Sequence, residues 1–220
     1  MEIINFHVVH EQKRARHQFL LPDCQYMLTG PTGCGKSNTL PNMLLRWMCP
    51  DRVVIYTINS NQEKVPAANR FFDAIKEESR GEILEICDPE DVIPVEELDD
   101  EDDKVIVFDD IKIDKKNMDR IKEYFSLSRN KNCCCIYLCQ SYYNVQKYIR
   151  RNTKCFCLFQ SLDNRDVMNI ATDHVQGISK EEFNRIYEAT SEPYNFMCLN
   201  KTAKHTPERY RRNFDGLYVQ

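Results

Sequence analysis

The chain predicts an α/β fold with a mostly parallel central sheet and helices on both faces. Three observations point there. Short apolar segments of strand character recur along the 220 residues. Helix-patterned segments separate many of them, the alternation that parallel strands with crossover helices produce. Two of the strand segments, Val105–Phe108 and Cys133–Leu138, are apolar without interruption, as strands buried on both faces are.

The elements follow in order. Residues 24–29 form a first short strand, and the stretch from Ser37 to Trp47 carries Leu40, Leu44 and Trp47 at helical spacing. Strands are expected at 52–58, 83–87, 104–108, 133–140, 155–160 and 194–200. Helical patterns fall at 66–79, 114–128, 163–173 and 179–190. In the second of these, Met118, Ile121 and Phe125 share one face. There is no repeat and no Gly/Ser linker, so one domain is expected. A basic segment at 1–20 precedes a core at 21–200, and a basic tail occupies 201–220.

Composition narrows the classes. A hydrophobic content of 42% over 220 residues supports a substantial core. No apolar run approaches the roughly 20 residues that cross a membrane. The N-terminus lacks the unbroken apolar stretch of a secretory signal, so a protein that is not secreted is expected. The eleven cysteines include Cys133, Cys134, Cys135 and Cys139 in one apolar run and Cys155 and Cys157 in another. Neighbours on one strand alternate faces and are poorly placed for a disulfide framework. No histidine completes a zinc spacing, so the cysteines read as small buried apolar groups. The net charge of −4 is segregated: residues 88–103 hold ten acids and no base. Its stretch 96–103 reads as a solvated loop. Lys13, Arg14 and Arg16 are basic near one end, and Lys201, Lys204, Arg209, Arg211 and Arg212 near the other.

Between the first strand and the first helix stand Gly30, Pro31, Thr32, Gly33, Cys34, Gly35, Lys36 and Ser37, followed by Asn38. This is the phosphate-loop pattern G-x-x-x-x-G-K-[ST] in its required strand–loop–helix context. The glycines let the backbone curl so that successive N–H groups face phosphates. Lys36 adds a point charge, the helix adds its positive end, and the Ser37 hydroxyl suits Mg²⁺. Binding of a nucleotide with Mg²⁺ follows.

A metal-bound phosphate needs a partner carboxylate. Val105–Phe108 is followed by Asp109 and Asp110, at the carboxyl end of a strand, where ligands of parallel sheets sit. Asp109 is the expected Mg²⁺ ligand, and Asp110 is left to activate the attacking water. Asp88, after a less apolar strand, competes for the metal role. Lys36 and Asp109 are 73 positions apart, room for two intervening strands and a helix. A base-reading N-K-x-D is missing, since Asn130-Lys131-Asn132-Cys133 lacks the Asp and precedes its strand; a GTPase is therefore not expected. Gln140 ends the next strand, where it faces the γ-phosphate and the water if that strand neighbours the Asp-Asp strand. Arg129 sits between the 114–128 helix and that strand. A guanidinium there reaches a nucleotide as an arginine finger only from a neighbouring subunit.

The spaced set TGPTGCGKSN, VIVFDDI, LSRNKN, IYLCQSYYNV, IRRNTKCFCLF and SLDNRDV resembles the DNA-packaging ATPases of double-stranded DNA viruses. These form the poxvirus-type branch of the FtsK–HerA superfamily, and the likeness is to its Polinton and virophage versions. It covers roughly residues 20–170. The resemblance implies a P-loop NTPase of the additional-strand type that assembles into a hexameric or pentameric ring. Such a ring hydrolyses ATP to move double-stranded DNA into a capsid, with capsid proteins as further partners. Position by position, it implies that Lys36 and Ser37 bind phosphate and Mg²⁺ and that Asp109 holds the metal. Asp110 takes the catalytic-acid place, where many members carry Glu, Gln140 is the sensor, and Arg129 is the finger acting in trans. Arg150 and Asn152 match an Arg-x-Asn pair at the subunit interface or the phosphates. The host cytoplasm or nucleus, or the virion, is the expected location.

Lys147, Arg150, Arg151 and Lys154 form the densest internal basic cluster and are the candidate DNA contact. Two other functions are consistent with the same residues: a viral helicase, and a non-motor nucleotide-binding adaptor or switch. The paired catalytic acids count against the switch. A small-molecule kinase lacks an acceptor or lid signature.

Overall fold

The computed structural model describes residues 24–48, 50–58, 84–111, 115–189, 193–214 and 216–217. The basic segment at 1–20 and the helix expected over 66–79 lie outside them. The strands are β1 (Gln25–Thr29), β2 (Arg52–Thr57), β3 (Leu84–Cys87), β4 (Lys104–Asp109), β5 (Cys133–Cys139), β6 (Cys155–Phe159), β7 (Phe196–Asn200), β8 (Tyr210–Arg212) and β9 (Gly216–Leu217). The α-helices are α1 (Lys36–Asn42), α2 (Lys115–Leu127), α3 (Lys147–Asn152), α4 (Asn164–His174), α5 (Lys180–Glu188) and α6 (Thr206–Arg209). The described residues fall into two compact units, those within 37–135 and those within 24–36 and 136–217.

In the first unit the strand order is β3-β2-β4-β5. β2 is parallel to both neighbours, with Ile55 opposite Ile86 on one side and Val107 on the other. The Lys104 N–H donates to the Asn132 carbonyl at 3.0 Å, which brings the starts of β4 and β5 together. Phe108 stacks on Tyr56 at 5.6 Å and meets Tyr124 edge-on at 5.4 Å. α2 buries Asn117, Ile121, Tyr124 and Phe125; Ile121 and Phe125 belong to the expected face, and Met118 is half-buried. The stretch 96–103 is largely solvated: Glu96, Glu97, Asp99, Asp100, Glu101 and Asp102 are exposed, and Leu98 is buried among them. Val92 and Val95 are buried just before it, and Asp99 pairs with the buried Lys104 at 2.7 Å.

In the second unit the order is β5-β1-β6-β7-β8-β9. β1 and β6 are parallel, with Leu28 opposite Cys157. The Gly30 N–H donates to the Cys139 carbonyl at 3.2 Å, so β1 and β5 end together. β7, β8 and β9 are successively antiparallel, making the sheet mostly parallel with an antiparallel margin. Two helices, α4 and α5, separate β6 from β7, and each reverses the chain, so β7 enters with opposite polarity. Residues 206–217, within the segment expected as a basic tail, supply α6, β8 and β9. Tyr210, Arg211 and Phe214 are buried there. A three-residue strand reading Tyr-Arg-Arg carries no alternation from which to find it.

The ten described cysteines are free thiols. Burial pushes the Cys24 thiol up to about 12. A hydrogen bond with Cys198, together with burial, holds Cys155 well above the ordinary thiol range. These groups stay protonated and pack as small apolar side chains. Among the described residues no cluster of His, Cys, Asp or Glu could hold a metal ion, and no helix is long and apolar enough to cross a membrane.

Candidate active site

The five residues of β1 are all buried, and the chain leaves the sheet at Gly30. A Cβ at that position would lie 2.6 Å from Phe159 Cβ and 2.7 Å from Cys34 Sγ, so only glycine fits. Gly33 and Gly35 have φ of +81° and +112°, the left-handed region that side chains avoid. Lys36 folds back over the loop. Its Nζ donates to the Gly30 carbonyl and to the Pro31 carbonyl at 2.9 Å, and lies 3.7 Å from Cys34 Sγ. The ammonium is thus held among the loop's own carbonyls, ready to be exchanged onto an anion, which makes stronger charge-assisted hydrogen bonds. Thr32, Gly33, Ser37 and Asn38 are exposed, while Pro31, Cys34 and Gly35 are half-buried. α1 begins at Lys36 and contains Pro41, which has no N–H for the Ser37 carbonyl. The chain widens directly afterwards into a π-helix over Met43–Met48.

The acidic half begins at the end of β4. Asp109 is half-buried and accepts a hydrogen bond from Thr57 Oγ1 at 3.4 Å, across the Thr57–Asp109 register pair. Asp110 turns the chain out of the sheet with φ of +47°. Aspartate tolerates this region better than most residues, and the strain costs about 1 kcal/mol. The Ser37 hydroxyl and the Asp109 carboxylate are each the hard oxygen donor that suits Mg²⁺. The competing carboxylate, Asp88, is otherwise engaged. It caps a 3-10 turn by accepting the Glu90 N–H at 2.9 Å, and it follows β3, the outermost strand of its unit.

Gln140 follows the last residue of β5 and is exposed. Cys139, just before it, is the residue bonded to Gly30. Arg129 is exposed on the 3-10 turn Ser128–Lys131, before β5. The Lys104–Asn132 hydrogen bond puts that turn at the amino end of β4, about 17 Å along the strand from Asp109. An arginine at Arg129 therefore cannot serve the Asp109 end of its own chain. Arg150, the further catalytic candidate, engages internal partners. Its guanidinium pairs with Asp173 at 3.5 Å and lies 4.7 Å over the Tyr142 ring, with the side chain 13% exposed. α3 also lies at the amino end of β1, through the Lys154–Gln25 hydrogen bond, away from the phosphate loop. Asn152 Nδ2 bonds back to the Tyr148 carbonyl at 2.9 Å. In the basic cluster Arg150 points inward, while Lys147 and Arg151, four apart on α3, are exposed.

Sequence reasoning missed a buried polar network behind Gln140. Asp166, in the first turn of α4, accepts the backbone N–H groups of Tyr142 and Tyr143 and the Ser141 hydroxyl. The Tyr142 hydroxyl donates to Asp173 and lies 2.8 Å from His174 Nε2. Burial, with Lys201 nearby, holds His174 down at about 4, so the ring is neutral and donates from Nε2 to the tyrosine oxygen. An aspartate in a helix's first turn ordinarily reads as a partner for the dipole, and nothing in SLDNRDV marks Asp166 as buried.

No protein-family model matches the chain, and no characterised protein matches it in sequence. Solved structures do share its fold. The genome packaging NTPase B204 from Sulfolobus turreted icosahedral virus 2, in complex with ATP-gammaS, matches with a TM-score of 0.54 at 14% identity, over 88% of this chain and 98% of that one. The same protein in complex with AMPPCP matches with a TM-score of 0.53, also at 14% identity and the same coverage. B204 from Sulfolobus Turreted Icosahedral Virus, a DNA-packaging ATPase, matches with a TM-score of 0.52 at 12% identity, again over 88% and 98%. The chain thus has the P-loop NTPase fold of the additional-strand type.

Proposed function

We propose that this chain is an ATP-hydrolysing motor that moves double-stranded DNA, working as a ring of identical subunits in the packaging of a viral genome into a capsid. The observation that carries the reading is the end-to-end fold match to a genome packaging NTPase, 88% of this chain on 98% of that one. The TGPTGCGKSN to SLDNRDV set of the poxvirus-type branch of the FtsK–HerA superfamily supports the same assignment.

In this reading the loop from Gly30 to Ser37 binds the phosphates of ATP, with Asn38 beside it. Ser37 and Asp109 would hold Mg²⁺, which when bound neutralises phosphate charge. Asp110 accepts the proton of the attacking water, and Gln140 orients that water and senses the phosphate. Lys36 leaves the Gly30 and Pro31 carbonyls for the β- and γ-phosphates. Arg129 acts on the nucleotide of a neighbouring subunit, which its place at the far end of β4 requires of any finger role. Lys147 and Arg151 offer phosphate contacts to DNA.

The experiment is steady-state ATP hydrolysis with and without double-stranded DNA, for the wild type, Asp110→Asn and Arg129→Ala. Duplex-stimulated turnover, lost in both variants, is expected. Hydrolysis indifferent to DNA leaves an ATPase and removes translocation. Bound ATP without turnover under either condition favours a nucleotide-binding switch.

A further inference from the structure

Gln140 is bracketed on both sides by hydrogen bonds of the second unit. Immediately before it, the Cys139 carbonyl accepts the N–H of Gly30, the first residue of the phosphate loop, at 3.2 Å. Immediately after it, three consecutive residues converge on one carboxylate: Ser141 Oγ at 3.2 Å, the Tyr142 N–H at 2.9 Å and the Tyr143 N–H at 2.8 Å, all to Asp166. Asp166 is 2% exposed, and its bond from the Tyr142 N–H lies away from competing water. From the geometry we infer that Asp166 is a positioning residue for Gln140. It holds the loop after β5 so that the glutamine side chain is presented at a fixed place relative to Gly30. This role rests on the reading of Gln140 as the sensor of an ATPase.

The anchoring extends beyond one carboxylate. Tyr142 is fixed at its backbone by Asp166 and at its hydroxyl by Asp173 and His174, each 2.8 Å away. Asp173 in turn holds Arg150 of α3, whose guanidinium covers the Tyr142 ring. A displacement of the Gln140 backbone is therefore transmitted to α3, the helix that exposes Lys147 and Arg151. Van der Waals contact alone does not set the direction of that displacement; a carboxylate accepting three donors does, because each bond is lost at a different angle. Arg150 thereby becomes part of the support of the sensor rather than a group that touches phosphate.

The test is a double-mutant cycle in ATP turnover between Asp166→Asn and Gln140→Ala, with KM and kcat measured separately. Asp166→Asn is expected to lower kcat about tenfold or more with KM for ATP within about twofold, as loss of orientation does. In the Gln140→Ala background the same substitution is expected to change kcat by less than about twofold, because there is no sensor left to position. A purely structural Asp166 lowers activity by the same factor in both backgrounds, and that additivity overturns the proposal. Full turnover in Gln140→Ala alone overturns it too. Where Asp166→Asn does not fold, Ser141→Ala removes one of the three bonds without touching a buried charge, and the same cycle is read with it. A wild-type chain without any ATP turnover sinks the ATPase reading itself; turnover in the wild type with additive effects sinks the positioning role alone.

Discussion

The backbone N–H of Gly30 donates to the carbonyl of Cys139 at 3.2 Å, so the phosphate loop and the strand that ends in Gln140 leave the sheet side by side. Gly30 has no room for anything larger, because an added Cβ would fall 2.6 Å from Phe159 Cβ. Gly30→Ala should therefore displace the loop's first turn, lowering stability by about 1–3 kcal/mol. A loss of ATP affinity of at least about tenfold should accompany it, since each charge-assisted bond misplaced costs 1.5 kcal/mol or more, roughly. Denaturant melts and nucleotide titration measure both, and wild-type binding by this variant would show that the loop tolerates the methyl group.

Lys36 makes its contacts to carbonyls of its own loop, at Gly30 and Pro31. Lys36→Met should leave the melting temperature within about 2 °C, as surface changes do. Its ATP affinity should fall about 10- to 100-fold, the worth of one charge-assisted contact. A variant that binds ATP normally removes Lys36 from the phosphate site.

Asp110 sits at φ +47°, so its two substitutions separate conformation from chemistry. Asp110→Gly relieves the backbone and should stabilise the chain slightly, by about 0.5–1 kcal/mol less the added freedom of the unfolded glycine. Asp110→Asn keeps the turn. Both should lose turnover by about 10²–10⁴-fold, the usual contribution of a general base. Retained turnover in Asp110→Asn would hand the role to another carboxylate.

The distance between Arg129 and its own Asp109 makes complementation the informative assay. Asp110→Asn and Arg129→Ala should each be inactive alone. Mixed in equal amounts as a ring, about a quarter of the interfaces pair an intact Asp110 with an intact Arg129, so a similar fraction of wild-type turnover should return. A mixture as inactive as its components denies the finger role in trans.

His174 supplies a pH dependence. Burial lowers it from an ordinary 6.5 to about 4. Below pH 6.5 the unfolded chain takes up a proton that the folded chain refuses, so stability falls from pH 6.5 down to about 4 and the loss from this group is complete below that. The full amount is up to about 3 kcal/mol. His174→Gln should flatten that part of the stability–pH curve relative to wild type in denaturant titrations at pH 7, 5.5 and 4.5; parallel curves would place the titration elsewhere.

The order of strands and helices, the phosphate loop and the Asp109–Asp110 pair were legible because each has a local cause. Apolar runs must be buried, and glycines at fixed offsets permit the loop's left-handed turns. Cys133–Cys139 and Val105–Phe108 are fully buried as their composition demands. What stayed illegible depends on partners distant along the chain. Asp166 looks like any helix-opening acid until Tyr142 and Tyr143, more than twenty positions earlier, arrive at its oxygens. Arg150 matches a motif, yet Asp173 and Tyr142 decide that it points inward.

By itself the sequence determined which segments are strands, where the backbone can curl around phosphate, and which strand ends carry acids. Backbone propensity and hydrophobic burial act within a few residues, and those are written locally. The tertiary structure alone decided that β7 runs antiparallel, that residues 210–212 and 216–217 join the sheet, and that Arg129 stands at the amino end of β4. Each of those follows from hydrogen bonds and burial between residues far apart in sequence, whose pairing no local pattern encodes.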